Sequence, residues 1–160
     1  MIDLYDLKLA ERRHFVKLFL ESLIHLPRGL WRPTLVILDE AHIYCPERGS
    51  GESESTEAVI SLMSQGRKRG HAGIIATRRL SKLHKDAAAD ANNVMIGRTW
   101  LDADRARAGD ALGLSKAYRL KLRDVEQGDF YGFGSAFHRP AVVHLRSDQV
   151  RCRPSAPRAM

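Results

Sequence analysis

The segment Thr34-Leu35-Val36-Ile37-Leu38 is a continuous apolar run that ends, with no turn residue between, in two adjacent carboxylates, Asp39 and Glu40. Amphipathic helices and half-buried strands both show periodic polarity. An uninterrupted run of this length, rich in branched residues, predicts a strand covered on both faces, as at the centre of a parallel sheet. Ala72 to Thr77 (A-G-I-I-A-T) predicts a second buried strand, and Val94 to Ile96 a short third. Between the first two, Ala58, Ile60, Leu62 and Met63 are the apolar positions of a helix over about Ser55 to Lys68. Strand, helix and strand in alternation predict an α/β fold with a mostly parallel sheet flanked by helices. Functional groups in such sheets lie just beyond the carboxyl ends of the strands, where Asp39, Glu40, Thr77 and Arg78 all fall.

The rest of the chain fits around this centre. Ile2 to Leu7 alternates apolar and polar residues and predicts a short strand. From Glu11 to Leu26, polar His14, Lys17, Glu21 and His25 form one narrow stripe, predicting a helix buried on most sides and stopped by Pro27-Arg28-Gly29. Pro46 to Glu54, rich in Gly, Ser and Glu, reads as a mobile loop. Asp102 to Leu112 reads as a polar helix, and Asp129–Phe133 and Ala141–Leu145 as closing strands. Residues 1–145 form one domain in this reading, and 146–160, basic and proline-containing, a loose tail.

A chain of 160 residues fits one domain of ordinary size, and 44% hydrophobic with 28% charged residues excludes wholesale disorder. No apolar run approaches the roughly 18 residues needed to cross a bilayer. With two cysteines in no C-x-x-C and no signal peptide, the expectation is a reduced, cytoplasmic protein without a membrane partner. The net charge of +7 favours a polyanionic partner. It is localised: Arg67, Lys68, Arg69, Arg78, Arg79, Lys82 and Lys85 meet no acid between Gly66 and Lys85. Arg67, Lys68, Arg69 and Lys82 are candidate nucleic-acid contacts, binding phosphates without reading bases. An intersubunit or nucleotide-facing surface is the alternative.

Two carboxylates at the mouth of a buried strand admit two readings. Asp39 caps the segment that follows, or the pair is the acidic motif of a nucleoside triphosphatase. In the second reading Asp39 holds Mg²⁺, through water, and Glu40 orients or deprotonates the attacking water. His42 and Cys45 at i, i+3, with His71, resemble half a zinc motif, but no second pair stands at suitable spacing. No G-x-S-x-G elbow or triad is present.

Taken in order, L-V-I-L-D-E-A-H, Q-G-R-K-R-G-H-A-G-I-I-A-T-R-R (Gln65 to Arg79) and D-A-D-R-A (Asp102 to Ala106) resemble the HerA/FtsK group of RecA-like motor ATPases. The opening I-D-L-Y-D-L-K-L-A-E-R-R is similar to the segment before the acidic motif in the HerA-type helicase branch. This resemblance implies a RecA-like P-loop NTPase core using ATP and Mg²⁺ in a DNA translocase or helicase, working as a homo-oligomeric, hexameric ring. It implies that Asp39 and Glu40 are the Walker B pair, and that Thr77 and Arg78 occupy the sensor position. Arg78 replaces the usual Gln there, and a permanent cation cannot accept a hydrogen bond as an amide does. Arg105 falls near the position of a trans-acting arginine, with Arg107 two residues on; a solvated helix face is the alternative for both.

One part is missing. A phosphate-binding loop reads G-x-x-x-x-G-K-S/T, yet Gly-Lys occurs nowhere in the sequence. The expectation is therefore the C-terminal part of an ATPase domain lacking the N-terminal Walker A portion, inactive in hydrolysis alone. A truncated frame, a decayed gene, or one half of a split protein with an upstream Walker A-bearing polypeptide would each account for it. The contrasting expectation is a non-catalytic nucleic-acid-binding or assembly module derived from such an ATPase. Exposed apolar surface where the absent strands pack is expected in either case.

Overall fold

The computed structural model of the chain describes residues 1–49 and 53–146. The structure divides into two units, Met1–Asn92 and Asn93–Met160. Residues 147–160, which make up nearly all of the expected tail, and 50–52 of the Pro46–Glu54 loop lie outside the described residues.

The first unit contains α1 (Leu9–Ile24), β1 (Thr34–Leu38), α2 (Thr56–Gln65), β2 (His71–Ile75) and a short α3 (Lys85–Ala89). β1 has the bounds expected of its apolar run, and it pairs in parallel with β2, Val36 opposite Gly73 and Leu38 opposite Ile75. Val36 points into a core built from Val16, Leu20 and Ile24 of α1 and Ala58, Val59 and Leu62 of α2, with Leu38 and Ile75 packed against it. Each fully buried Leu or Val there contributes roughly 1.5–3 kcal/mol. A β-carbon on Gly73 would lie 2.7 Å from Met63 Sδ and 3.3 Å from Leu62 Cδ2. The glycine lets α2 sit close on the sheet.

Within the first unit the sheet is covered on one face only. The opposite face carries Leu35, Ile37 and Ile74, exposed by 57%, 62% and 47%, together with exposed Ala72. A continuous apolar run makes a strand fit for burial on both sides, but the second cover must come from other elements, and none of the described residues of the first unit supplies it. Exposed apolar surface, as expected from the sequence, is present here.

α1 differs from expectation in its bounds and its burial. It starts at Leu9 because the Glu11 carboxylate accepts the Lys8 backbone N–H at 2.7 Å, satisfying a donor at the helix start. It ends at Ile24, ahead of Pro27. Only Val16, Leu20 and Ile24 are buried, while Phe15, Leu18 and Phe19 are exposed on a face that was expected to be covered. Ile2–Leu7 is a turn rather than a strand. Tyr5 N–H donates to Asp3 Oδ1 at 2.9 Å, Leu7 N–H to Leu4 O at 3.1 Å, and Arg12 Nε to Leu7 O at 2.7 Å. The aspartate that supplied the apparent alternation instead closes the turn.

α2 stops at Gln65, and Gly66–Arg69 continues as a 3-10 turn that leads into β2. The second unit holds β3 (Asn93–Ile96), α4 (Asp102–Ala111), α5 (Lys116–Lys121), β4 (Asp129–Gly134) and β5 (Ala141–His144). β3 does not join β1 and β2. It pairs antiparallel with β4, which pairs antiparallel with β5. Ile96, Ala108, Leu112, Leu122 and Val125 are buried in this unit. Among the described residues no helix is long and apolar enough to cross a membrane.

Candidate active site

Because β1 and β2 run in parallel, their carboxyl ends emerge side by side. Two backbone hydrogen bonds tie the segments beyond them: Ala76 N–H to Leu38 O at 2.9 Å, and Ala41 N–H to Ala76 O at 2.8 Å. Between these anchors the chain turns sharply through Glu40. At φ 49° and ψ 43° this is the one non-glycine residue at positive φ among the described residues. Holding a side-chain-bearing residue in the left-handed region costs about 1–2 kcal/mol, and such conformations cluster at functional sites. Asp39 Oδ1 accepts the Glu40 N–H at 2.8 Å and steadies the turn.

The turn aims the Glu40 carboxylate at β2. Arg78 Nε donates to Glu40 Oε1 at 2.6 Å, and the Arg78 Nη2 reaches the same oxygen. The arginine side chain is 87% exposed, that of the glutamate only 25%. Glu40 Oε2 is buried and has no hydrogen-bond partner; His42 Nδ1 lies 3.5 Å from it. The same nitrogen is 3.0 Å from Thr77 Oγ1, which also accepts the Arg79 N–H at 3.0 Å. Thr77 Oγ1 and His42 Nδ1 share one hydrogen bond, whose direction is set by the imidazole tautomer. The His42 pKa is held below its usual value, first by burial; Glu40 raises it and Arg79, Lys82 and Arg78 lower it.

Asp39, Glu40, Thr77 and Arg78 are therefore gathered at one strand edge. His42 lies with them, a position that its reading as an ordinary histidine or half of a zinc motif does not bring out. Its place is set by the turn at Glu40 and by the parallel pairing of β1 with β2, neither of which the local sequence announces. Among the described residues no three His, Cys, Asp or Glu side chains group together as a metal cluster. Cys45 is buried, and burial with Glu57 and Glu47 nearby pushes its thiol up to about 12. Asp39 is exposed with Oδ1 engaged by the backbone, so its remaining oxygen fits a hydrated Mg²⁺ that takes further ligands from phosphate and water. The sequence holds no G-x-x-x-x-G-K-S/T loop whose backbone amides would cradle a triphosphate.

The remaining expected residues lie elsewhere. Arg105, in the second unit, is buried; it donates to Trp100 O at 2.5 Å and pairs with Asp102. Arg107 is half-buried. Arg67 and Lys68 are exposed and Arg69 half-buried in the 3-10 turn after α2, and Lys82 is exposed in the 3-10 turn Leu80–Lys82.

No family model matches the chain. Over 116 residues, 71% of its length, it is 28% identical to the DNA double-strand break repair helicase HerA of Pyrococcus furiosus, of which it covers 20%. Its fold is similar to that of the genome packaging NTPase B204 from Sulfolobus turreted icosahedral virus 2 in complex with ATP-gammaS. That similarity has a TM-score of 0.65 at 17% identity over 89% of this chain and 65% of the other. It is also similar to the bacterial conjugative coupling protein TrwB, with a TM-score of 0.55 at 16% identity over 82% of this chain and 36% of that one. The chain thus spans a fifth of the HerA relative and under two thirds of these structures. Its fold is that of a partial RecA-like P-loop NTPase core, and in sequence it resembles the HerA/FtsK-type motor ATPases.

Proposed function

Starting from this resemblance, we propose that the chain is the metal- and water-handling half of an ATP-driven DNA motor, a translocase or helicase of the HerA/FtsK type. The observation that carries the proposal is the convergence of Asp39, Glu40, Thr77 and Arg78 on the adjoining ends of two parallel strands. Asp39 holds Mg²⁺ through water, and the metal, when bound, neutralises charge on the terminal phosphates. Glu40 takes the proton of the attacking water or orients it. Thr77 and Arg78 face the terminal phosphate and distinguish its presence from its absence.

The phosphate loop, absent from the 160 residues, is contributed by another polypeptide segment. The open Leu35, Ile37, Ala72 and Ile74 face fits such a segment, because an added layer there completes the cover that β1 lacks. Arg105 acts in trans, in a homo-oligomeric ring of cytoplasmic subunits. That role requires its guanidinium to exchange Asp102 and Trp100 O for a neighbour's phosphate, so subunit contact is coupled to the first turn of α4. Exposed Arg67, Lys68 and Lys82, with Arg69, contact the phosphates of DNA. The chain alone hydrolyses ATP at background rate.

The test is equilibrium binding of a fluorescent ATP analogue with and without Mg²⁺. Binding that needs the metal and is lost in Asp39→Asn supports the reading; metal-independent binding, equal in the variant, contradicts it. For DNA, log K against log salt should fall linearly, and Arg67→Ala and Lys68→Ala should each flatten the slope by about 1. A second reading, a non-catalytic DNA-binding or assembly module, is favoured by one observation: no Gly-Lys occurs anywhere in the sequence. DNA binding without any nucleotide binding would select it.

A further inference from the structure

Building on that reading of the strand-end site, we propose that Arg78 is an exchange residue. It holds Glu40 in the nucleotide-free protein and gives the carboxylate up when a terminal phosphate arrives. Arg78 binds Glu40 Oε1 through both Nε and Nη2, so the carboxylate assigned to the attacking water is engaged by a cation before any substrate is present. The two partners differ in freedom. Glu40 is pinned by its left-handed backbone, by Asp39 Oδ1 on its own N–H, and by the Ala41 N–H to Ala76 O hydrogen bond next to it. Arg78 has a side chain 87% exposed, so it is the partner that can swing away.

Chemistry favours the exchange. A guanidinium's fork of donors matches phosphate oxygens as well as it matches a carboxylate, and an exposed ion pair is weakly held. A terminal phosphate offers more charge and more acceptor oxygens than the single oxygen that Arg78 now uses. Glu40 does not need Arg78 to keep its place, because its left-handed backbone and the Asp39 Oδ1 on its N–H fix the turn that carries it. A glutamine at position 78 would lack the charge needed to hold the carboxylate in this way. The substitution therefore makes release of the base dependent on the phosphate that is to be cleaved. A nucleoside diphosphate, lacking that phosphate, leaves Arg78 on Glu40.

The test is NMR on the isotopically labelled full chain, with the Arg78 Nε–H resonance assigned by its disappearance in Arg78→Gln. In the free protein, Glu40→Gln should move this resonance to the position of unpaired arginines. Magnesium adenylyl imidodiphosphate should shift it, while Mg·ADP at equal occupancy should not. The same analogue should move the Glu40 Cδ resonance in the direction that Arg78→Gln moves it. If the analogue shifts the backbone amides of 39–41 while the Arg78 Nε–H stays still, exchange is overturned and the nucleotide site stands. If Glu40→Gln leaves the Arg78 signal unchanged, the ion pair is absent and the exchange fails on that ground alone. If neither nucleotide perturbs residues 39–41 or 76–79, the strand-end nucleotide site fails, and the exchange with it.

Discussion

His42 and Thr77 are 35 residues apart in the chain, and they meet Nδ1 to Oγ1 at 3.0 Å. One lies just past β1 and the other just past β2, so the contact links the two strand ends through side chains as Ala41 and Ala76 link them through the backbone. The same imidazole nitrogen stands 3.5 Å from Glu40 Oε2. The nitrogen's hydrogen bond goes to Thr77, and Glu40 Oε2 is left buried without a hydrogen-bond partner.

This arrangement sets a pH dependence. Burial, with Arg79, Lys82 and Arg78 around it, holds the His42 pKa below 6.5 despite the opposing charge of Glu40. The folded chain thus takes up the His42 proton less readily than the unfolded chain does. The stability tied to a neutral His42 is fully present above pH 6.5 and is lost as pH falls from there through the lowered folded value. Urea unfolding of the wild type and of His42→Asn at pH 7.5 and 5.5 checks this. The wild type should lose more stability than the variant on acidification, and an equal loss in both would contradict it.

His71 tests a different consequence of burial. It is 2% exposed at the start of β2, and neither ring nitrogen has a hydrogen-bond partner. A buried polar group left unsatisfied is a liability of about 1–3 kcal/mol. His71→Leu, close in volume, should therefore raise stability by about 1 kcal/mol, read as a higher urea midpoint at unchanged slope. A fall of that size would mean that the imidazole has a partner in solution.

What the sequence disclosed, and what it withheld, follows from how far apart the determining groups are. β1 was legible because a threonine and four apolar residues followed by two carboxylates define their own limits. Which of its faces is covered was not legible, since Leu35 and Val36 are both apolar and only the packing of α1 and α2 separates them. The Ile2–Leu7 alternation misled because an alternating pattern with aspartates also describes a turn, and Arg12, which ties that turn to α1, lies outside the pattern. α5 went unseen because Lys116–Lys121 is one and a half turns with no apolar periodicity to read. At the strand ends, parallel pairing implied that Asp39, Glu40, Thr77 and Arg78 share an edge. The left-handed turn at Glu40 and the His42–Thr77 contact are set by tertiary geometry, and no residue in the local sequence announces them.

Arg105 is held in the second unit by two acceptors, Trp100 O and Asp102, at the first turn of α4. Removing a buried charged donor of this kind costs about 1.5–3 kcal/mol. Arg105→Ala should lower the unfolding free energy of the isolated chain by that amount, read as a lower urea midpoint at unchanged slope, in the absence of nucleotide and DNA. An unchanged midpoint would mean that the guanidinium is free in solution and needs no exchange to act on a neighbouring subunit.

The account rests on the strand ends of the first unit being a nucleotide site. Amide chemical-shift mapping of the chain with ATPγS, in Mg²⁺ and then in excess chelator, tests this most directly. The predicted result is a set of metal-dependent shifts concentrated at residues 39–42 and 76–79, absent in Asp39→Asn. Shifts that leave those residues still, or that persist unchanged when the metal is removed, would contradict it.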